Sequence, residues 1–325
     1  MPFRPGFDCL WCGTAHVCRG PDDLEGWAQL CPDCVGKAGD NGFLRFRLHQ
    51  ALTERGAART ATSTGEDGTA ATGEDNAPGP GSAAATSPGS AAASSGADPE
   101  SDLLAYYEAR APEYDDWYLR RGRYTRGPIH DAAWNSELDA AGRWLDELPI
   151  EGEIVELAAG TGWWSPLLAS KGALSMYDVA GAPLDRARDR LLAHGLRAHL
   201  HRRDAWAEPD RQVDVVFAGF WLSHVPRNRL DDFLALVRRW LKPGGTFAFI
   251  DSLLDPQSSA ADHPTPADDR SVRRLDDGRE FTIVKVYYTP EELEAAMRRA
   301  GFEGETVTTT GRFFLTGWAR ADRTG

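Results

Sequence analysis

Residues 57–100 contain no aromatic side chain and no Leu, Ile, Val or Met; they are mostly Ala, Gly, Ser, Thr and Pro with a few acids. Such a stretch cannot bury enough apolar surface to offset the entropy of ordering it. It reads as a flexible tether with a reach of roughly 35–40 Å. The chain is thereby split into parts that fold on their own resources. The expected organisation is a small module over 1–56, the tether over 57–100 and a larger domain over 101–325.

The front module is small, and below about 40 residues a fold rarely holds without a staple. The sequence offers one: Cys9 and Cys12, then Cys31 and Cys34, are two C-x-x-C pairs with 18 residues between them. Thiolates at this spacing can meet at the corners of one tetrahedral Zn²⁺ site, whose binding energy becomes folding energy. Disulfides are the alternative. They are disfavoured by the fifth cysteine, Cys18, which leaves an odd count, and by the lack of a secretory signal. Cys18 and His16 are candidate substitutes for one ligand. Beyond the pairs, Gly42–Leu48 reads as a short strand or helix leaving the metal site.

Charge and hydropathy narrow the partners. A net charge of −13 argues against broad adhesion to nucleic acid or anionic lipid. No apolar run approaches the roughly 18 residues of a membrane span. Acidity, reduced cysteines and no targeting segment make the cytoplasm the expected compartment. A local basic cluster remains, Arg120, Arg121, Arg123 and Arg126, which reads as a solvated surface or an anion site.

From residue 101 the pattern becomes alternating helix and strand. Trp134, Leu138, Ala141, Leu145 and Leu148 recur at helical spacing and predict a helix over 130–147, ended near Pro149. Strand-length apolar runs follow at 153–158, 173–179, 198–201, 213–218 and 246–251, separated by helical stretches at 163–171, 182–194 and 227–241. The expectation is an α/β fold: a doubly wound, Rossmann-like sheet, mostly parallel and covered on both faces. Residues 303–309 and 312–319 flank Thr310-Gly311 and read as an antiparallel hairpin completing seven strands.

In such a sheet ligands sit beyond the carboxyl ends of the strands. The first strand ends in Glu156-Leu157-Ala158-Ala159-Gly160-Thr161-Gly162, small residues that let the backbone turn against a ligand before a helix N-terminus. Asp178 ends the second strand, where a carboxylate can accept both hydroxyls of a ribose. Asp204 follows the third strand and can accept from an adenine amino group, with Ala205 and Trp206 beside the ring. A nicotinamide fold uses similar parts, but its G-x-G-x-x-G needs glycine at 165, where Ser165 stands.

Together with Leu241-Lys242-Pro243-Gly244-Gly245-Thr246 and the terminal hairpin, this assembly resembles the class I S-adenosylmethionine-dependent methyltransferases over about residues 103–320. The resemblance implies that Glu156–Gly162 cradles the methionine part of the cofactor, with Ala158 in place of a common glycine. It implies Asp178 for the ribose, Asp204 and Ala205 for adenine, and the strand end at Ala218 facing the sulfonium. Residues 106–115 look like the N-terminal lid of family members acting on small molecules, in which Tyr107 and Tyr114 approach the cofactor. Trp163 and Trp164 are either cofactor walls or core packing.

Methyl transfer from a sulfonium is an in-line displacement, so alignment and exclusion of water are the main tasks. A general base helps when the acceptor is a hydroxyl or an ammonium. His224 is the candidate, with Tyr124 or Trp221 shaping the acceptor pocket. The expected activity is methylation of an O or N atom of a small metabolite. Rival readings are a peptide, protein or ribosomal RNA acceptor docked by the zinc module, and an adaptor that binds cofactor without chemistry. RNA is disfavoured, because residues 1–50 of the module set Arg4, Arg19, Lys37, Arg45 and Arg47 against six acids. A nearly neutral module suits docking to a carrier or partner protein.

Overall fold

A computed structural model describes residues 3–9, 14–36, 48, 51–52, 55, 99–264 and 269–323. The tether call up to residue 98, the call on Gly42–Leu48 (except Leu48) and Cys12 lie outside them; Pro99 and Glu100, assigned to the tether, instead begin a helix. In the front part, strands β1 (Gly6–Asp8) and β2 (Ala15–Val17) pair antiparallel, followed by short helices α1 (Leu24–Ala28) and α2 (Pro32–Gly36). Trp27, Ala28, Leu30, Ala51 and three cysteines form one small buried cluster.

The rear part opens with α3 (Pro99–Arg110), a 3₁₀ turn at Ala111–Glu113, α4 (Tyr114–Leu119) and the long α5 (Pro128–Glu147). Five parallel strands follow: β3 (Gly152–Leu157), β4 (Gly172–Asp178), β5 (His199–Arg202), β6 (Val213–Gly219) and β7 (Leu241–Ser252). Helices α6 (Ser165–Lys171), α7 (Gly181–Ala193) and α8 (Leu230–Trp240) connect them. After β7 come a small hairpin, β8 (Arg270–Arg274) and β9 (Glu280–Val284), helix α9 (Pro290–Arg299), and strands β10 (Phe302–Thr309) and β11 (Phe314–Ala321).

The seven strands lie in the order β10-β11-β7-β6-β3-β4-β5, with β11 antiparallel to both neighbours. The chain moves outward from β3 to β5 and then restarts on the other side at β6. That reversal leaves a crevice at the carboxyl ends of β3 and β6. This is the expected doubly wound sheet with its terminal hairpin.

Two-residue alternation along the strands sorts the core into two halves. Ile154, Val215, Phe217, Ala248 and Ile250 face one layer, where Trp134, Leu138 and Leu145 of α5 and Leu184 and Leu191 of α7 cover them. Val155, Leu157, Val216, Phe247 and Phe249 face the other, covered by Phe233 and Val237 of α8 and Leu293 and Met297 of α9. Strands buried on both faces read as continuous apolar runs, which is why these segments stood out in the sequence. Each fully buried aliphatic side chain contributes about 1.5–3 kcal/mol.

Two boundaries differ from the sequence expectation for clear local reasons. Helix α6 starts at Ser165, because Gly162 holds a left-handed φ of +71° and the turn closes before Trp164. The last strand starts at Phe314, because the amides of Arg312 and Phe313 donate to the Glu137 carboxylate of α5 (2.9 and 2.8 Å). Helix α9 and the β8–β9 hairpin were not foreseen. Both had signals: Thr289-Pro290-Glu291-Glu292 forms a reciprocal capping box, and Asp277-Gly278 turns the hairpin.

Candidate functional site

The loop after β3 turns through three left-handed residues, Ala158 (φ +50°), Gly160 (+55°) and Gly162 (+71°). Glycine is needed at 160 for a second reason: a Cβ there would stand 3.1 Å from the Tyr114 hydroxyl oxygen. The Gly160 amide donates to one oxygen of Asp178 and the Ala180 amide to the other, both at 2.8 Å. Burial raises the Asp178 carboxyl to about 6; the two amides pull it down, while Glu108 and Asp204 push it up. A carboxylate has about four acceptor sites, so both oxygens keep capacity for a ligand hydroxyl. Asp204 accepts from the Trp206 amide at 2.8 Å, which aims the following turn along the same crevice.

These residues border a cavity of about 570 Å³, within the range of small-molecule sites. Tyr107, Tyr114, Ala158, Gly160, Asp178, Asp204, Ala205 and His224 all line it. Four other expected contacts do not. Glu156 is buried behind the wall, where Ser165 Oγ donates to it at 2.5 Å. Burial raises its carboxyl to about 8, so it keeps its proton at neutral pH. Gly162 serves close packing, since a Cβ would stand 2.8 Å from that of Ala187 on α7. Trp164 lies against Gly219, where an added Cβ would come within 2.7 Å of the indole, so it packs in the core. Ala218 is enclosed between Leu157 and Phe249 in the sheet, and the cavity is reached by its successors Gly219 and Phe220. Phe220 holds a left-handed φ of +59°, strain of the kind that concentrates at functional sites.

Helices α3 and α4 form a lid over this cavity. Glu108 accepts from the amides of Gly181 and Ala182 (2.7 and 3.0 Å), satisfying orphan donors at the start of α7. Asp115 pairs with Arg190 and accepts from Thr161 Oγ1. Tyr107 is thereby brought against His224, with 2.8 Å between its hydroxyl and Nε2. His224 Nδ1 lies 2.8 Å from the carbonyl of Val284. A carbonyl only accepts, so the proton sits on Nδ1 and Nε2 accepts from the tyrosine. Burial holds His224 well below the ordinary histidine value, and Lys285, Arg273 and Arg110 press it further. It is a neutral imidazole.

Tyr107, Tyr114, Phe220 and His224 also line a second, smaller chamber of about 60 Å³ on their far side. Tyr124 borders that chamber, whereas Trp221 borders the first cavity. Arg110 on α3, Arg273 on β8 and Lys285 after β9 line it as well and escaped the sequence reading. Each is isolated in the sequence, and only the unforeseen hairpin brings two of them to the site. Burial lowers the Lys285 ammonium to about 8; Asp251 pulls it up, and Arg273 and Arg110 push it down.

The basic cluster is neither a solvated patch nor an open anion site. Arg120 is buried and donates to the carbonyls of Ser258 (3.0 Å) and Gln257 (2.7 Å), with its guanidinium 4.4 Å from the centre of the Trp134 ring. Arg126 donates to the carbonyl of Ser259 (2.9 Å) and Arg123 pairs with Asp262 (3.1 Å). Three of the arginines thus pin the loop after β7.

In the front part, one sulfur each from Cys9, Cys31 and Cys34 lie within 4.8 Å of one another, all buried. Zn–S bonds of about 2.3 Å in a tetrahedron place sulfurs roughly 3.8 Å apart, which this cluster can reach with small movements. Among the described residues Cys18 and His16 are not part of it: Cys18 is buried elsewhere, and the His16 ring packs on Phe7 at 5.5 Å.

A family model described as a methyltransferase domain matches residues 154–245. Among curated proteins, the ubiquinone/menaquinone biosynthesis C-methyltransferase UbiE of Vibrio vulnificus strain YJ016 is 28% identical over 181 residues, covering 50% of this chain and 67% of that protein. The Vibrio cholerae O395 protein of the same name is 28% identical over 170 residues, 47% of this chain and 65% of its own length. Among solved structures, a DhpI–SAM–HEP complex is 32% identical with a TM-score of 0.55, covering 68% of this chain and 97% of that one. A DhpI–SAH complex gives the same identity, a TM-score of 0.54 and 96% coverage. With nearly all of DhpI aligned at this identity, and a methyltransferase model lying over the strands that carry the crevice, the chain belongs to the class I S-adenosylmethionine-dependent methyltransferases.

Proposed function

We propose that this enzyme methylates an O or N atom of a small metabolite held between the crevice and the second chamber. The observation that carries this reading is the shared wall: Tyr107, Tyr114, Phe220 and His224 border both spaces. A chamber of about 60 Å³ suits a small group better than a polymer. The relatives lend support to the small-molecule part alone, since the UbiE proteins are named for ubiquinone/menaquinone biosynthesis and as C-methyltransferases.

The cavity residues fit S-adenosylmethionine: Asp178 has acceptor capacity for ribose hydroxyls, Asp204 and Ala205 suit adenine, and Gly160 leaves room for close approach. The bound cofactor supplies an activated methyl group. Tyr107, Tyr114 and Phe220 orient the acceptor and exclude water. His224 takes the acceptor proton through the Tyr107 hydroxyl, whose own proton passes to Nε2. His224→Asn is expected to lower turnover about 100-fold or more while leaving cofactor-product affinity within twofold; an unchanged rate removes it from the reaction. Labelled methyl groups from the cofactor should enter the small-molecule fraction of a cell extract. Label confined to protease- or RNase-sensitive material overturns the reading.

The front module, residues 1–56, is read as a zinc site of Cys9, Cys12, Cys31 and Cys34 used for docking a carrier or partner protein, tethered through 57–100. Elemental analysis should find one zinc per chain, lost in Cys31→Ser with methyl transfer to a free acceptor retained.

A further inference from the structure

We propose that the second chamber is an oxyanion site in which Arg110, Arg273 and Lys285 hold a dianionic, phosphate-type group carried by the methyl acceptor. The inference rests on the reading that a small acceptor enters this chamber and goes beyond it by naming the acceptor's chemistry. The three cations come from α3, β8 and the segment after β9, and each is at least nine-tenths buried, with 9%, 7% and 9% of its surface exposed. No Asp or Glu lines the chamber among the described residues. The nearest carboxylate, Asp251, is 4.0 Å from Lys285 Nζ and already accepts from the amides of Ser223 and Ser252 (2.9 and 2.7 Å).

Apart from Asp251, the partners of these cations among the described residues are neutral. Arg110 lies 4.5 Å from the centre of the Tyr114 ring, and its Nε is buried without a hydrogen-bond partner among the described residues. Arg273 donates to Ser271 Oγ at 2.6 Å and to the Tyr287 hydroxyl, and Lys285 to Ser223 Oγ at 2.7 Å and Ser252 Oγ at 3.4 Å, all of them neutral hydroxyls. Two further unpartnered buried atoms lie on the same chamber, Ser258 Oγ and His263 Nδ1. His263 Nε2 is engaged by the backbone of Arg274, 3.0 Å from its amide and 3.1 Å from its carbonyl, which leaves Nδ1 as the ring atom facing the chamber without a partner. Hydroxyl, imidazole and guanidinium groups therefore converge on one space.

Charge selects the ligand. Buried charge is stable only when paired, and three cations beside one carboxylate leave a deficit of two negative charges. A carboxylate supplies one; a phosphate monoester supplies about 1.5 to 2, and an unesterified phosphonate presents the same three terminal oxygens that suit guanidinium forks. The loop presenting Ser258 and His263 is held by Arg120, Arg123 and Arg126, so these polar groups sit on a braced wall.

Calorimetric titration of the full chain with inorganic phosphate, methylphosphonate and acetate tests this. Phosphate and methylphosphonate should bind at least tenfold more tightly than acetate. Arg273→Gln and Lys285→Met, each checked for native circular dichroism, should weaken phosphate at least tenfold and change S-adenosylhomocysteine binding less than twofold. Acetate equal to phosphate, no heat with phosphate, or phosphate binding untouched by both substitutions overturns the proposal. Phosphate binding without any methylated small molecule leaves the oxyanion site standing and removes the small-molecule reading. Methylation of neutral metabolites alone, with no phosphate heat, does the reverse.

Discussion

The cavity over the sheet ends and the chamber behind it share a wall and differ in charge: the first mixes Asp178, Asp204 and Asp269 with Arg229 and Arg270, whereas three cations and, among the described residues, no carboxylate line the second. The first presents Asp178 and Asp204 on strand-end turns; the second presents Arg110, Arg273 and Lys285 from pieces added around the sheet. The acidic side is built by the doubly wound core, where strand ends and helix starts bring carboxylates to backbone amides. The basic side is built by the lid and the β8–β9 hairpin, both outside that core. On the proposed reading, the carboxylates of the cofactor side belong to the fold and the cations of the acceptor side to its additions, as expected where one scaffold hosts many substrates.

The largest effect should come from the acid buried behind the cofactor wall. Glu156 has a folded-state value near 8, above its ordinary 4.5, so its contribution to stability is fully present below pH 4.5 and is lost as pH rises through 8. Glu156→Gln does not titrate. Urea unfolding should find it more stable than the parent at pH 9 by roughly 3–4 kcal/mol, converging at pH 5. Equal pH slopes for the two proteins would show that this wall bears no such cost.

Next comes an exchange of effects between the two sides. Arg273→Gln should raise the KM of the acceptor about 100-fold and spare the cofactor. Asp178→Asn should weaken S-adenosylhomocysteine about 30-fold and spare phosphate, each change removing about 2–3 kcal/mol of charge-assisted hydrogen bonding. A substitution that damages both affinities equally breaks the division.

A smaller effect is opposite pH dependence. Cofactor affinity should fall as pH drops through about 6, where Asp178, beside Glu108 and Asp204, takes up a proton. Phosphate affinity should fall as pH rises through about 8, where Lys285, beside Asp251, Arg273 and Arg110, loses one. Each limb is limited to about tenfold per pH unit, and calorimetry from pH 5 to 9 measures both. The smallest effect is at Ala158. Replacing it by glycine relieves a left-handed φ of +50° but loosens the unfolded chain, a net gain below about 1 kcal/mol in thermal unfolding.

Legibility in the sequence followed the same boundary. Strands buried on both faces, the amphipathic α5 and the loop from Glu156 to Gly162 were readable because each depends on neighbours close in the chain. Glu156, Gly162, Trp164 and Ala218 were placed near the ligand by motif, yet they line the layer behind it, since alternation and helix packing decide which residue of a turn faces outward. The arginines at 120–126 looked like a surface feature; their partners, the loop carbonyls of Gln257, Ser258 and Ser259, lie more than 130 positions away. Arg110, Arg273 and Lys285 had no local signature at all.

The amino-acid order alone determined the alternating architecture, the cofactor loop and the paired cysteines, because periodicity, glycine conformations and ligand spacing act over a few residues. Only tertiary structure decided that Tyr107 covers His224, that Glu156 is sealed from the cavity, and that three distant cations face one small space. Those outcomes depend on burial and on charges brought together across the fold, and a linear pattern does not record either.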